Sequence, residues 1–197
     1  MEILATKSEL RKRYKEKRAA LSAKDVLDFS SAIFLQFQRN FSDVKMQNVH
    51  VFIPIEKLNE VKTELFIEYF LRQNIKVFAP RISGEQLEHI EIDAFTNFKV
   101  TSWGISEPEG IAVDSKTHFD AVIVPLLYCD AFGNRIGYGK GFYDRFFSEM
   151  NPDVIKIGVN FFLPNEKISD VSAHDIPLDY LVTPTEVLSF LATGRGS

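Results

Sequence analysis

At 197 residues the chain has room for one domain with a full hydrophobic core and too little for two ordinary ones. Apolar residues make up 45% of it, which excludes a disordered chain, and a net charge of −4 argues against general nucleic-acid or anionic-membrane binding. A single cysteine, Cys129, excludes an internal disulfide and reads as a small apolar residue at a strand end. The four histidines (His50, His89, His118, His174) show no ligand spacing, and no apolar run reaches the ~20 residues of a membrane span.

In chain order, Thr6 or Ser8 is suited to cap an amphipathic helix through about Leu21, with Leu10, Tyr14, Lys17 and Leu21 along one side. The segment is basic, but Glu2, Glu9 and Glu16 interrupt it. It matches neither a secretory signal nor an acid-poor presequence, and a cytoplasmic location is expected. Its cations Lys7, Arg11, Lys12, Arg13, Lys15, Lys17 and Arg18 read chiefly as a solvated face. Lys7 and Arg11, four apart, share a side and are spaced to close over a polyphosphate. Ser22 and Asp25 open a second helix, with Val26, Phe29, Ile33 and Phe37 at helical spacing.

Residues 49–55 read as the first strand. Thr63 reads as the cap of a helix reaching Gln73, buried along Leu65, Phe66, Tyr69 and Phe70. Residues 75–79 read as a strand closed by Pro80, and 86–92, which alternate apolar and polar, as a strand at a sheet edge. The stretch 95–115 has no clear period and reads as a surface segment. Further strands are predicted at 121–126, 154–160 and 180–183, with Pro184 opening a terminal helix and 194–197 forming a disordered tail. Helices alternating with strands that are apolar throughout give the fold class. It is α/β, one three-layer αβα domain over 1–193 with an open, mainly parallel, Rossmann-like sheet.

In such sheets ligands bind beyond the carboxyl ends of the strands. The densest chemical signal lies there: Asn134-Arg135-Ile136-Gly137-Tyr138-Gly139-Lys140-Gly141-Phe142-Tyr143-Asp144-Arg145, between a predicted strand and a predicted helix. Alternate glycines expose backbone N–H groups and admit close approach of a ligand, and the following helix offers its positive end to an anion. Arg135 and Lys140 add charge suited to phosphate or carboxylate oxygens. Asp144 places a carboxylate where a magnesium ion bridging to those phosphates would use it. The G-x-G-x-G spacing is neither the dinucleotide fingerprint nor the P-loop.

Asp175 and Asp179 flank Ile176-Pro177-Leu178. Either reads as a turn former, or as a second magnesium ligand facing Asp144. Glu56 and Glu60 follow the first strand and suit either loop charges or acceptors for a polar heterocycle, and Trp103, Tyr138, Phe142 and Tyr143 suit either packing or stacking on a flat ring. No Ser-His-Asp order or G-x-S-x-G elbow supports acyl-enzyme chemistry.

Together these segments resemble the 5-formyltetrahydrofolate cyclo-ligase family. The resemblance runs from Lys7-Ser8-Glu9-Leu10-Arg11 through Arg18, Glu60-Val61-Lys62-Thr63, Gly104-Ile105-Ser106-Glu107-Pro108 and Val124 to Arg145. It ends with His174-Asp175-Ile176-Pro177-Leu178-Asp179 and Val182-Thr183-Pro184, and the glycine loop is its most specific block.

The resemblance implies a magnesium-dependent enzyme that uses ATP to convert 5-formyltetrahydrofolate to 5,10-methenyltetrahydrofolate, releasing ADP and phosphate. It assigns ATP contacts to Lys7, Ser8, Glu9, Leu10, Arg11, Arg135, Ile136, Gly137, Tyr138, Gly139, Lys140, Gly141, Phe142 and Tyr143, with Lys140, Arg135 and Tyr143 as catalytic groups. It assigns folate contacts to Ile53, Glu60, Trp103, Tyr138, Gly139, Lys140, Gly141 and Phe142, and magnesium to Asp144 and Asp175. Expected partners are small molecules, with neither nucleic acid nor membrane, and the chain is expected to be a monomer. Two other readings stay open: a relative that binds folate or nucleotide without turnover, and a different α/β enzyme, such as a sugar-phosphate isomerase, that needs no ATP.

Overall fold

The computed structural model describes residues 3–102, 104–114 and 117–191, so Trp103 and the 194–197 tail lie outside the described residues. The chain opens with β1 (Leu4–Ala5) and α1 (Lys7–Ala19). A capping box fixes the start of α1: Glu9 Oε2 accepts from Thr6 N–H at 2.8 Å, and Glu9 N–H donates back to the Thr6 hydroxyl. Ser22 and Asp25 repeat the device at the head of α2 (Ala23–Phe41). There follow β2 (Asn48–Val51), a single 3-10 turn at Glu56–Leu58, α3 (Glu64–Arg72), and the pair β3 (Lys76–Ser83) and β4 (Gln86–Ile92). Next come two small hairpins separated by a long strand: β5 (Phe98–Val100) with β6 (Ser106–Pro108), then β7 (Ala121–Pro125), then β8 (Tyr128–Cys129) with β9 (Arg135–Ile136). The chain closes with α4 (Phe142–Glu149), β10 (Ile155–Val159), β11 (Lys167–Ile168), β12 (Tyr180–Val182) and β13 (Val187–Ser189).

Seven strands form the main sheet in the order β13-β12-β10-β7-β2-β3-β4, with the inner five parallel and both edges antiparallel. Side-chain alternation then sorts the core into layers. Val49, Val51, Ile123 and Val159 point to one face, against Ile33 and Phe37 of α2 and Phe66 and Phe70 of α3. Phe78, Val122 and Val124 point to the other, against Phe146 and Phe147 of α4. These two faces give the expected three layers. Helix α1 sits apart, beyond the carboxyl end of β7, where Leu10 and Tyr14 pack on Leu127, Tyr128, Ile136 and Ile168. Burying each such side chain stabilises the fold by about 1.5–3 kcal/mol.

Several expectations need correction. Among the described residues no helix follows Pro184. Thr183 N–H donates to the Glu186 carbonyl at 2.9 Å, the chain reverses, and β13 pairs antiparallel with β12. The strand expected at 49–55 is β2, Asn48–Val51; it leaves the sheet before Pro54, and the short β1 precedes it. Strand β3 runs through Pro80 to Ser83; β2 pairs with it only as far as His50–Phe78, so Pro80 faces no ladder on the β2 side, and on the other side it stands opposite His89 of β4. Thr63 makes no capping bond; its hydroxyl donates to the Phe52 carbonyl at 2.8 Å. Leu65 is exposed, the 95–115 stretch contains a hairpin, and the buried stripe of α1 is Leu10, Tyr14 and Arg18 rather than one that includes Lys17.

Two of the scattered histidines meet. His50 on β2 and His89 on β4 lie with ring centroids 5.0 Å apart, enclosed by Phe119 and Phe146. Burial depresses both, His50 well below the ordinary range and His89 to about 4, so the rings are neutral core. Cys129 is likewise core: burial pushes its thiol up, which keeps it protonated and unreactive.

Candidate active site

β7 carries the chain to the carboxyl end of the sheet, and wholly buried Asp130 shapes the turn beyond it. Its Oδ1 accepts from the N–H groups of Phe132 (2.9 Å) and Asn134 (3.0 Å), and its Oδ2 from the Asn134 amide at 3.0 Å. This turn aims Arg135 inward and delivers the glycine segment. Gly139 and Gly141 adopt φ of 90° and 69°, a region strained for residues with a Cβ. A Cβ at Gly139 would also meet the Arg11 guanidinium at 3.4 Å. Gly141 precedes α4 without any side-chain cap, so the first N–H groups of that helix are left for another acceptor.

Arg135 is held from two sides. One nitrogen donates to Asp144 Oδ1 at 2.7 Å, another to the Ile176 carbonyl, and the guanidinium lies over the Phe147 ring at 5.1 Å. Ile176 N–H donates to the same Asp144 oxygen at 3.2 Å, which ties the 170–179 segment to α4. Asp175 accepts from Lys7 Nζ and from Ser172 N–H at 2.6 Å. Burial works to raise the Asp175 carboxyl, but the hydrogen bonds from Lys7 and Ser172 outweigh it and hold it below the ordinary value. The charge of Arg135 interacts with both aspartates. Arg11 Nε donates to the Gly137 carbonyl at 3.0 Å, so Lys7 and Arg11 both face this end of the sheet.

A second group lies beside the first. Glu60 is 3% exposed; its Oε2 accepts from Ile55 N–H at 2.7 Å and its Oε1 from the Tyr138 hydroxyl at 2.8 Å. That hydroxyl accepts in turn from Arg18. The Tyr143 hydroxyl is buried without a partner among the described residues, and burial first, then the charge of Glu60, push it up. Lys140 is exposed at the loop tip, and Phe142 is half-buried under the Arg145 guanidinium. Ile53 is half-buried at the edge of the main cluster.

Not every sequence-assigned residue presents its side chain here. Leu10 and Ile136 are core, which leaves only their backbone for a ligand, and the Glu9 carboxylate is used by the α1 cap. Ser8 is exposed. Asp179 turns inward to a 2.7 Å ion pair with buried Lys156, which leaves Asp175 as the aspartate at the site. Trp103 lies outside the described residues; its neighbour Gly104 stands against Lys57, so that loop borders the Glu60 segment. The residues that sequence reasoning missed are Asp130 and Arg18. Arg18 stands eight after Leu10 and four after Tyr14, and that spacing marks it as inward-facing.

Among the described residues no three histidine, cysteine or carboxylate side chains cluster to hold a metal. Asp144 and Asp175 supply two hard oxygen donors, which suits magnesium because it keeps water and phosphate oxygens in its other positions. The hydrogen bonds described for Asp144 fall on Oδ1, so Oδ2 is open to such an ion.

The profile of the 5-formyltetrahydrofolate cyclo-ligase family matches residues 3–184, nearly the whole chain. The chain belongs to that family. A probable 5-formyltetrahydrofolate cyclo-ligase of Schizosaccharomyces pombe is 30% identical over 161 residues, covering 73% of this chain and 78% of that protein. A Caenorhabditis elegans protein of the same description is 26% identical over 204 residues, covering 95% and 97%. The NMR structure of Aquifex aeolicus 5,10-methenyltetrahydrofolate synthetase superposes with a TM-score of 0.79 at 29% identity, covering 97% of this chain and 95% of that one. Membership makes the chain an enzyme, a ligase of folate metabolism. The family match runs through α1, the Glu60 segment, the glycine loop and Asp175, the four parts that meet at the carboxyl end of the sheet. No helix among the described residues is long and apolar enough to cross a membrane.

Proposed function

We propose that this chain catalyses the ATP- and magnesium-dependent conversion of 5-formyltetrahydrofolate to 5,10-methenyltetrahydrofolate in the cytoplasm. The observation that carries the reading is the meeting, in a chain of this family, of the glycine loop, the Arg135–Asp144 pair and the Lys7–Asp175 pair at one end of the sheet. In this reading the loop N–H groups, the uncapped start of α4, Lys7, Arg11 and Lys140 hold the ATP phosphates. Glu60 and Tyr138 take the pteridine end of the folate, where a buried carboxylate suits its N–H donors.

The formyl oxygen is a poor leaving group, so the reaction first activates it. That oxygen attacks the γ-phosphorus, the bond to the β–γ bridging oxygen breaks, and ADP leaves. The N10 lone pair then attacks the formyl carbon, the carbon–oxygen bond breaks to release phosphate, and the N10 proton departs. Phosphoryl transfer asks mainly for positioning and charge neutralisation. Arg135, fixed by Asp144 and Ile176, and exposed Lys140 supply cations toward the developing charge, and preorganised donors of this type are worth on the order of 3 kcal/mol each. Magnesium held by Asp144 and Asp175 would add further neutralisation of the phosphate oxygens. The Tyr143 hydroxyl, without a hydrogen-bond partner among the described residues and under the charges of both Glu60 and Arg135, is a further candidate donor.

The test is the methenyl-folate absorbance band, followed with purified protein, 5-formyltetrahydrofolate and each co-reactant in turn. A rise that needs both ATP and magnesium is expected; folded protein that produces none would remove the reading.

A further inference from the structure

We infer that Arg18 is a positioning residue for folate recognition, acting on Glu60 through the Tyr138 hydroxyl. The inference rests on the proposed reaction, in which Glu60 receives the pteridine. Arg18 belongs to a helix rich in solvated cations yet lies on its buried stripe, 4% exposed. Among the described residues no carboxylate touches its guanidinium; its partners are the Leu126 carbonyl at 3.1 Å and the Tyr138 hydroxyl. A buried cation in that position needs a counter-charge, and the hydroxyl connects it to one, because Tyr138 also reaches Glu60 Oε1 at 2.8 Å.

The direction of these bonds comes from donor chemistry. A guanidinium only donates, so the Tyr138 oxygen must accept from Arg18, and its single proton is left to point at Glu60. Arg18 therefore fixes the polarity of the relay as well as supplying charge. Ile55 N–H fixes the second carboxylate oxygen at 2.7 Å, which leaves one lone pair on each oxygen for two neighbouring ring donors. The neighbouring Asn59 locks the assembly from the backbone side: its amide donates to the carbonyls of Arg18 (3.1 Å) and Leu21 (3.2 Å). Asn59 itself holds a left-handed φ of 48°, directly before Glu60. The end of α1 and the Glu60 loop are thus one unit. The other titratable groups near the relay are Lys15, 5.7 Å over the Tyr138 ring, and the Tyr143 hydroxyl.

Steady-state kinetics by methenyl absorbance, with each substrate varied in turn over about pH 6 to 8.5, tests this in R18M, R18K, Y138F and R18M/Y138F. R18M is expected to raise KM for 5-formyltetrahydrofolate about tenfold or more, the loss of a charged hydrogen-bond link, with KM for ATP within about twofold. Without the Arg18 charge, burial of Glu60 is less opposed, so that KM should fall as pH rises and the carboxyl ionises, a slope weak in the wild type. R18K, which keeps a charge and a donor, should recover most of the affinity. The double variant should be no worse than the weaker single one, as for links of one chain. Equal rises in both KM values, additive effects, or lowered thermal stability with unchanged KM would overturn the inference and leave the proposed reaction standing. Wild-type protein without turnover removes both. Should R18M fail to fold, Y138F decides: it must show the same selective rise in KM for 5-formyltetrahydrofolate.

Discussion

Lys140 and Arg135 stand on one loop but in opposite conditions. Arg135 is anchored by Asp144, Ile176 and the Phe147 ring, whereas Lys140 is exposed at the tip. Removing the tip lysine disturbs no packing, so Lys140→Ala is expected to lower turnover about a hundredfold or more with an unchanged melting temperature. Near-wild-type turnover would take the lysine out of the chemistry. Much of this residue-level picture was legible, because glycines at alternate positions beside an arginine, a lysine and an aspartate have few purely structural uses. What was not legible is pairing at long range. Lys7 meets Asp175 across 168 positions, a relation that no local spacing encodes. Arg18 was hidden by composition, one cation among seven on its helix.

Elements fix the loop through groups that never approach it. The Asp130 carboxylate holds two N–H groups and an amide inside the β8–β9 turn, and Asp130→Ala would leave those partly buried donors without it. The expected cost is about 3 kcal/mol in urea unfolding, with much of the catalytic activity lost through a displaced Arg135. An unchanged urea midpoint would show that the turn is held by other means. The His50–His89 contact makes a different prediction. Each ring is neutral in the fold, with its folded value depressed below the ~6.5 of the unfolded chain. Below about pH 6.5 the unfolded state binds the extra protons, so stability should fall as pH drops through the window from ~6.5 to ~4, and stay level above it. In His89→Phe this acid-side loss should shrink, read as a smaller difference in urea midpoint between about pH 7.5 and 5; an equal difference would absolve the pair. The elements themselves were largely visible in periodicity and caps. Short strands such as β1, β5, β6 and β11 escaped it, and so did β13, where Pro184 suits the first turn of a helix as well as the second position of a hairpin turn, and only the neighbouring β12 edge decides.

At the scale of the molecule, three distant stretches meet at the carboxyl end of the sheet: α1, the glycine loop and the 170–179 segment. A ligand that touches all three stabilises the fold as a whole, by about 2.7 kcal/mol at a hundredfold excess over Kd. Magnesium-ATP should therefore slow hydrogen exchange in α1 and in 170–179 together, and Lys7→Ala should uncouple the two; protection confined to the glycine loop would contradict this. The layered architecture was readable from strand and helix alternation, because a sheet covered on both faces needs strands apolar throughout.

The pairing of β1 with β11, Leu4 opposite Lys167, has a further consequence for the order in which the protein comes into being. Helix α1 leaves the ribosome long before its partners Glu166, Ile168 and Asp175 are made. Until then α1 can settle only on the part of its surface made by Leu127, Tyr128 and Ile136, and a nascent chain that already contains the complete glycine loop still lacks the Lys7–Asp175 pair. Full nucleotide capture thus reports on a polypeptide that extends past Asp175, and termination before Asp175 yields a chain without the Lys7–Asp175 pair.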